Sequence, residues 1–413
     1  MKGCPKCQRL YDEDAGFCPI DGTGLESAVT MEVDADPEDP RIGATICDGR
    51  YHVRRRVADG GMGRVYQALD VRTMRNVAVK VLHPDVVRDE VALERFKREY
   101  SLSAELPHDH IVEVYDFQQT EDHSYALVME YLEGEELRML LKREKRLSVE
   151  RIVRMLSQLA VALDEAHRRS FVHRDIKPDN IFLCGRPDGD LVKLFDFGSV
   201  RDNTEGAKKL TVLGTTIGSP FYMSPEQAQG LRELDHRADV WSVAAIAYEC
   251  LTGKLPFHGK TGPQILLAIL GHEPDPPSIA AAELAVPPTV DDVMADGLAK
   301  DQHTRIGSLG ELADRFGEAY GLSDTHQEWL AVPEAELRQR IQQGLIRVRE
   351  RVAATATPSA AARLAGASDP SPAFTEDDDF VMGVPQGPPL GLILGLAAAA
   401  AVVAGIVTFV LLW

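Results

Sequence analysis

From Tyr51 onward apolar and polar residues alternate as they do along half-buried strands. Val57–Tyr66, VADGGMGRVY, reads as strand, glycine turn and strand, and Val77–Lys80, VAVK, as a buried strand ending on a lysine. Residues 89–106 change to a helical period, with Leu93, Phe96, Leu102 and Leu106 on one face. Two more strand-like runs cover Ile111–Phe117 and Tyr125–Glu130. Leu147–Arg169 follows as a long amphipathic helix, with Ile152, Met155, Leu156, Leu159 and Leu163 on one stripe and Ser148 placed as its N-cap. The run that begins at Asp239, DVWSVAAIAYECLTGKLPF, is apolar almost all round, which suits a helix at the centre of a lobe. A last helix is expected over Glu334–Val352, with Leu337, Ile341, Leu345, Val348 and Val352 on the face that packs onto the main domain or a partner.

The flanks break this pattern. Residues 27–50 are acidic and rich in Asp and Pro, which predicts a linker, and 353–389, rich in Ala, Pro, Ser and Asp, predict a disordered one. Leu390–Trp413 holds no charged residue. At about 1.5 Å per residue it reaches ~36 Å, enough for one membrane-spanning helix across a ~30 Å hydrocarbon core. The 413 residues allow one large domain with such appendages, and the net charge of −19 argues against nucleic acid as the main partner. The start, MKGCPKC, lacks an apolar run, so no secretory signal is expected.

Three of the six cysteines crowd the N-terminus: Cys4 and Cys7 in CPKC, and Cys18 in CPID. Two Cys-Pro turns of this kind resemble zinc knuckles, in which side chains at i and i+3 converge on one tetrahedral ion. Asp21 stands where a fourth Cys is expected, so residues 1–26 are read as a zinc-ribbon-like knuckle with Asp21 as fourth ligand, against a knuckle without metal or with other ligands. Reduced thiols beside a metal site place this end of the chain in a reducing compartment.

The chemistry concentrates in Phe171–Asn180, FVHRDIKPDN. This stretch supplies a proton acceptor (Asp175), a positive charge (Lys177) and a neutral metal-coordinating oxygen (Asn180). Sixteen residues later comes a second metal-binding carboxylate, Asp196, in Asp196-Phe197-Gly198. Phosphoryl transfer from a Mg-nucleotide to a hydroxyl needs such a set, because its catalysis is mostly positioning and charge neutralisation.

The two motifs at this spacing resemble the protein kinase signature, and the order of motifs over Tyr51–Tyr320 is most similar to the eukaryotic-type serine/threonine kinases of bacteria. The resemblance implies an α+β fold of two lobes, a small antiparallel sheet with one helix and a larger mainly helical lobe, in residues 51–320, with 321–352 as a helical extension. It implies ATP held by Val57, Gly60, Gly63 and Val65 of the glycine hairpin, by Ala78 and Lys80 of the next strand, by Glu99 tying down Lys80, and by the backbone near Glu130 and Leu132. Ala58 departs from the pattern at the first loop glycine. It implies Mg2+ on Asn180 and Asp196, Asp175 as the group that takes or orients the substrate hydroxyl proton, and Lys177 against the transferring phosphoryl group. Asp239 is implied to brace the catalytic loop and Arg305 to pair with Glu226. Arg174 before the base implies autophosphorylation of the segment Asp196–Glu226, at one or more of Thr211, Thr215 and Thr216. Protein Ser/Thr hydroxyls are the implied substrates, and ATP use places the catalytic domain on the cytoplasmic side of the cell membrane. The competing class is a pseudokinase scaffold; a small-molecule phosphotransferase is disfavoured by Ser224-Pro225-Glu226.

Overall fold

The computed structural model describes residues 2–3, 10–11, 16–17, 23–27, 39–60, 63–87, 90–197, 220–231 and 233–355. The chain divides into two units, 1–355 and 356–413, and all described residues belong to the first. Near the N-terminus β1 (Lys2–Gly3) pairs antiparallel with β2 (Leu10–Tyr11) and with β3 (Glu26–Ser27).

The first lobe is an antiparallel sheet. It is built from β4 (Thr45–Ile46), β5 (Tyr51–Asp59), β6 (Gly63–Asp70), β7 (Arg75–Leu82), β8 (Val114–Gln119) and β9 (Tyr125–Glu130), in the order β4-β5-β6-β7-β9-β8. Helices α1 (Pro84–Val87) and α2 (Glu90–Glu105) connect β7 to β8. The period of two in β7 divides its side chains as expected. Val77, Val79 and Val81 join one cluster with Tyr51, Val53 and Tyr66, whereas Leu82 packs with Phe96 and Leu127 on the opposite face, the parity that Ala78 and Lys80 share. Gly63 is required by close approach, since a Cβ there would stand 2.2 Å from the Val81 carbonyl oxygen.

Residues 39–50 depart from the expected linker. Ala44 and Val53 are joined through the backbone, Thr45 and Ile46 pair with β5, and Ile46 and Cys47 enter the core. The acidic composition suggested solvation, but the Asp39 carboxylate is buried against the Tyr66 hydroxyl at 2.8 Å, so the first lobe begins at Asp39.

The second lobe is helical around one core. A short sheet, β10 (Glu135–Glu136), β11 (Ile181–Cys184) and β12 (Leu191–Leu194), faces the first lobe's end of it. Its helices are α3 (Leu137–Glu144), α4 (Val149–Arg168), α5 (Pro225–Ala228), α6 (Arg237–Thr252), α7 (Gly262–Gly271), α8 (Pro277–Ala280), α9 (Pro288–Gly297), α10 (Leu309–Ala319), α11 (His326–Trp329) and α12 (Glu334–Thr355). The stripe of α4 lies wholly in the core, and α6 is buried on nearly every side. Ser148 is the N-cap residue of α4, with the extended backbone of a cap, yet its hydroxyl makes no capping bond.

Helix α12 packs along α4, with Leu337 and Ile341 in the lobe's core, and Arg338 donates to Glu150 at 2.6 Å. Gly344 seats on Gly321, which has φ +80°; a Cβ on either would meet backbone at about 2.5 Å. Among the described residues no helix is long and apolar enough to cross a membrane, and the apolar run 390–413 lies outside them.

Candidate active site

The loop between α4 and β11 is set by a buried carboxylate. Asp239, in the first turn of α6, accepts the backbone N–H groups of His173 and Arg174, each at 2.8 Å, and His167 Nε2 of α4, also at 2.8 Å. Arg174 is thereby held at φ +69°, a region L-residues avoid, and its carbonyl accepts from Gln227 Nε2 at 2.7 Å. Burial disfavours the His167 cation, but Asp239 and Asp164 outweigh that penalty and lift its pKa to about 9. Burial likewise disfavours the Asp239 anion, and His167 with the loop amides reverses the balance and holds the carboxyl below its ordinary range.

Asp175, next in the loop, is two-fifths exposed, and Lys177 Nζ donates to its Oδ2 at 2.7 Å. Asn180 is buried and donates Nδ2 to the Asp175 carbonyl at 2.8 Å, which leaves Oδ1 as the end able to coordinate a cation. Asp196 has φ +68° and stands between two anchored neighbours. Phe195 donates its N–H to the Asn180 carbonyl at 3.1 Å and accepts at its own carbonyl from His173 Nε2 at 3.3 Å. The Phe197 ring meets the His173 ring edge-on at 4.7 Å. The structure thus joins Asp175, Lys177 and Asn180 in one hydrogen-bonded loop, and His173 ties that loop to Phe195 and Phe197 on either side of Asp196. Two non-glycine residues of positive φ in one site mark it as a place where backbone strain is held by surrounding contacts.

In the first lobe Val65 pairs with Lys80 across β6 and β7, and Gln67 with Ala78. The Lys80 ammonium lies 5.6 Å from the Phe96 ring centre. Gly60 closes the hairpin by donating to the Gly63 carbonyl at 3.0 Å, and Val57 is exposed. Glu99 lies on α2, and its side chain lies outside the described residues, as do Gly61 and Met62; Glu94 is an exposed partner of Lys97, as a surface charge should be. Glu130 differs from the expectation of a purely backbone role. Its N–H donates to the Glu113 carbonyl, and its carboxylate accepts from the Glu113 N–H and from Lys193. The N–H of Glu130 is therefore committed within the protein. Leu132 follows in the extended segment that leads to β10.

Below the loop, Arg305 and Glu226 form a buried bidentate pair at 2.8 and 3.0 Å. Arg305 also donates to the carbonyls of Arg237 and Ala299, so each of its three nitrogens has a partner. Sequence reasoning missed the histidines, His167 and His173, and a second cluster in which Arg138 reaches Asp179, Glu249 and the Tyr222 hydroxyl. These partners stand up to 111 positions apart, and no spacing rule links them. Residues Thr204, Thr211, Thr215, Thr216 and Ser219 lie outside the described residues, and so do Cys4, Cys7, Cys18 and Asp21.

Comparison with known proteins agrees with this geometry. A family model for the protein kinase domain matches residues 51–316. The chain is 37% identical over 273 residues to the serine/threonine-protein kinase pkn3 of Myxococcus xanthus, covering 65% of this chain and 50% of that one. It is 36% identical over 298 residues to PknH of Mycobacterium bovis, covering 72% and 48%. Against PknA of Mycobacterium tuberculosis it is 38% identical over 279 residues, covering 67% and 62%. The chain thus spans about half the length of the first two. Among solved structures, the kinase domain of Mycobacterium tuberculosis PknI superposes with a TM-score of 0.51 at 28% identity, over 68% of this chain and 98% of that one. With the family match covering the sheet, the catalytic loop and the helical lobe in one continuous stretch, the chain belongs to the protein kinase domain family.

Proposed function

We propose that the chain is a serine/threonine protein kinase that transfers the γ-phosphoryl group of Mg-ATP to protein hydroxyls. The observation that carries this reading is the bonded loop of Asp175, Lys177 and Asn180, which Asp239 holds at His173 and which His173 joins to the residue before Asp196. The donor set fits the cofactor. A carboxylate and a carboxamide oxygen are hard ligands, and Mg2+ takes one or two such protein ligands together with phosphate oxygens and water. Bound there, the ion neutralises charge on the phosphates. Asn180 Oδ1 and Asp196 would hold it, Asp175 orients the hydroxyl and takes its proton, and Lys177 supports the transferring group from the same side. Lys80, with Glu99, serves the other phosphates, while Ala78 and the backbone at Leu132 serve the base. Full chain incubated with radiolabelled Mg-ATP and a mixed Ser/Thr peptide library should yield phosphoserine and phosphothreonine. Label retained wholly as ATP would establish the pseudokinase scaffold instead. Phosphopeptide mapping of the active chain should find phosphate on at least one of Thr211, Thr215 and Thr216.

The same proposal extends to both ends. Antiparallel pairing of Lys2 with Tyr11 and of Phe17 with Gly24 brackets 4–9 and 18–23, two segments of equal length that each begin Cys-Pro. That register supports a zinc ribbon on Cys4, Cys7, Cys18 and Asp21. One zinc per chain, lost in Cys7→Ser, is the expected elemental analysis, and a folded chain free of metal would end the idea. The uncharged run 390–413 supports a single-pass anchor in the cell membrane, with the kinase domain on the cytoplasmic side. The full chain should then sediment with membranes and a chain ending at 389 should not.

A further inference from the structure

The acidic stretch ahead of the first lobe ends on a residue that reaches the glycine hairpin. The Asp39 carboxylate has no exposed surface, accepts the Tyr66 hydroxyl at 2.8 Å, and lies 3.4 Å from Arg64 Nη1 and 3.6 Å from Arg56 Nη1. These three partners stand on β5 and β6, the two strands of the hairpin. Arg64 continues the path, donating Nε to Asp59 Oδ2 at 2.9 Å, and Arg56 lies 3.9 Å from the same oxygen. Asp59 Oδ1 is 3.4 Å from His83 Nε2, and that nitrogen donates to the Gly60 carbonyl at 2.9 Å, at the start of the turn. The last links are partly exposed, and taken singly such pairs contribute little. The buried end fixes the two arginines, so the path is pre-organised rather than assembled pair by pair.

We propose that Asp39 is a positioning residue for nucleotide binding, which sets the height of the glycine turn through Arg64, Asp59 and His83. This rests on the kinase reading above. The path compensates for Ala58, which stands where a loop glycine is expected, by fixing the neighbouring residues from outside the hairpin. Substrate hydroxyl chemistry, carried by the other lobe, should not feel it.

Asp39→Asn in the full chain is the informative variant, because the amide oxygen can still accept from Tyr66 while the charge that holds the arginines is gone. The expected result is a KM and a Kd for Mg-ATP raised about fivefold, with kcat within twofold of wild type. Backbone amide exchange at Gly60 should quicken in the absence of nucleotide. His83→Ala should reproduce the effect, and His83→Gln, which keeps a donor for the Gly60 carbonyl, should recover most of it. In Asp39→Asn combined with Arg64→Gln the two losses should not add. A folded Asp39→Asn chain with unchanged Kd and unchanged exchange overturns the proposal, as does full additivity in the double variant. If wild type binds Mg-ATP but transfers no phosphate, the kinase reading fails while Kd and exchange still decide the role of Asp39.

Discussion

Asp175→Asn is expected to lower phosphate incorporation roughly 1000-fold, within the range by which a positioned acid–base group contributes. The fold should not change. The carboxylate is two-fifths exposed, its one side-chain partner among the described residues is Lys177, and a carboxamide oxygen can still accept from that ammonium. Exposed substitutions of this kind stay within about 0.5 kcal/mol, a melting shift of about 1–2 °C. Affinity for Mg-ATP should also persist, because Asn180 and Asp196 are anchored through backbone contacts that the substitution does not touch. A loss in kcat with unchanged nucleotide affinity and melting temperature assigns Asp175 to the transferring step. A residual rate within tenfold of wild type would remove it from that role and leave Lys177 and the metal ligands to account for the reaction.

Most of the lobes' elements were legible because their signals are local. The alternation in Val77–Lys80 fixes which side chains enter the sheet's valine cluster and which take the opposite parity, and the α4 stripe fixes the buried face of that helix. The largely apolar run after Asp239 is buried because nearly every face of α6 packs against the lobe. What was not legible depends on partners distant in sequence. Asp39 reads as one more acid in an acidic stretch until Tyr66 and two arginines fold over it. Ser148 has the right residue type and the right backbone for a cap, but its hydroxyl makes no capping bond. Glu130 was placed correctly at the end of its strand, yet nothing in its neighbourhood reveals Lys193, 63 positions away. The site residues were found through motif order, and the histidines that hold them were missed because a hydrogen-bonding histidine has no required spacing.

Removing the buried anchor gives the second large effect. Asp239→Ala deprives the His173 and Arg174 amides of their acceptor and leaves the His167 cation without its closest counter-charge. Breaking a buried pair from one side costs about 3–5 kcal/mol, equivalent here to a melting temperature lower by roughly 6–12 °C. Catalysis should fall further than stability alone explains, since Arg174 at φ +69° relaxes once its N–H is released and takes Asp175 with it. The pH dependence separates this account from simple loss of packing. His167 titrates near its ordinary pKa of 6.5 when unfolded and at about 9 when folded, so its contribution is complete below about pH 6.5 and disappears as pH rises to 9. The His167 contribution to wild-type stability should therefore decline between pH 7 and pH 9 by roughly 2 kcal/mol. In His167→Gln that component should vanish, leaving the opposite contribution of Lys300, whose pKa burial holds down to about 8 so that its deprotonation favours the folded state as pH rises. Asp239→Ala should retain only part of the slope, since His167 Nδ1 still lies 3.8 Å from Asp164, a Coulombic rather than a hydrogen-bonding distance. Equal slopes in wild type and His167→Gln would mean that His167 is neutral in the folded protein and holds Asp239 through an uncharged Nε2–H donor.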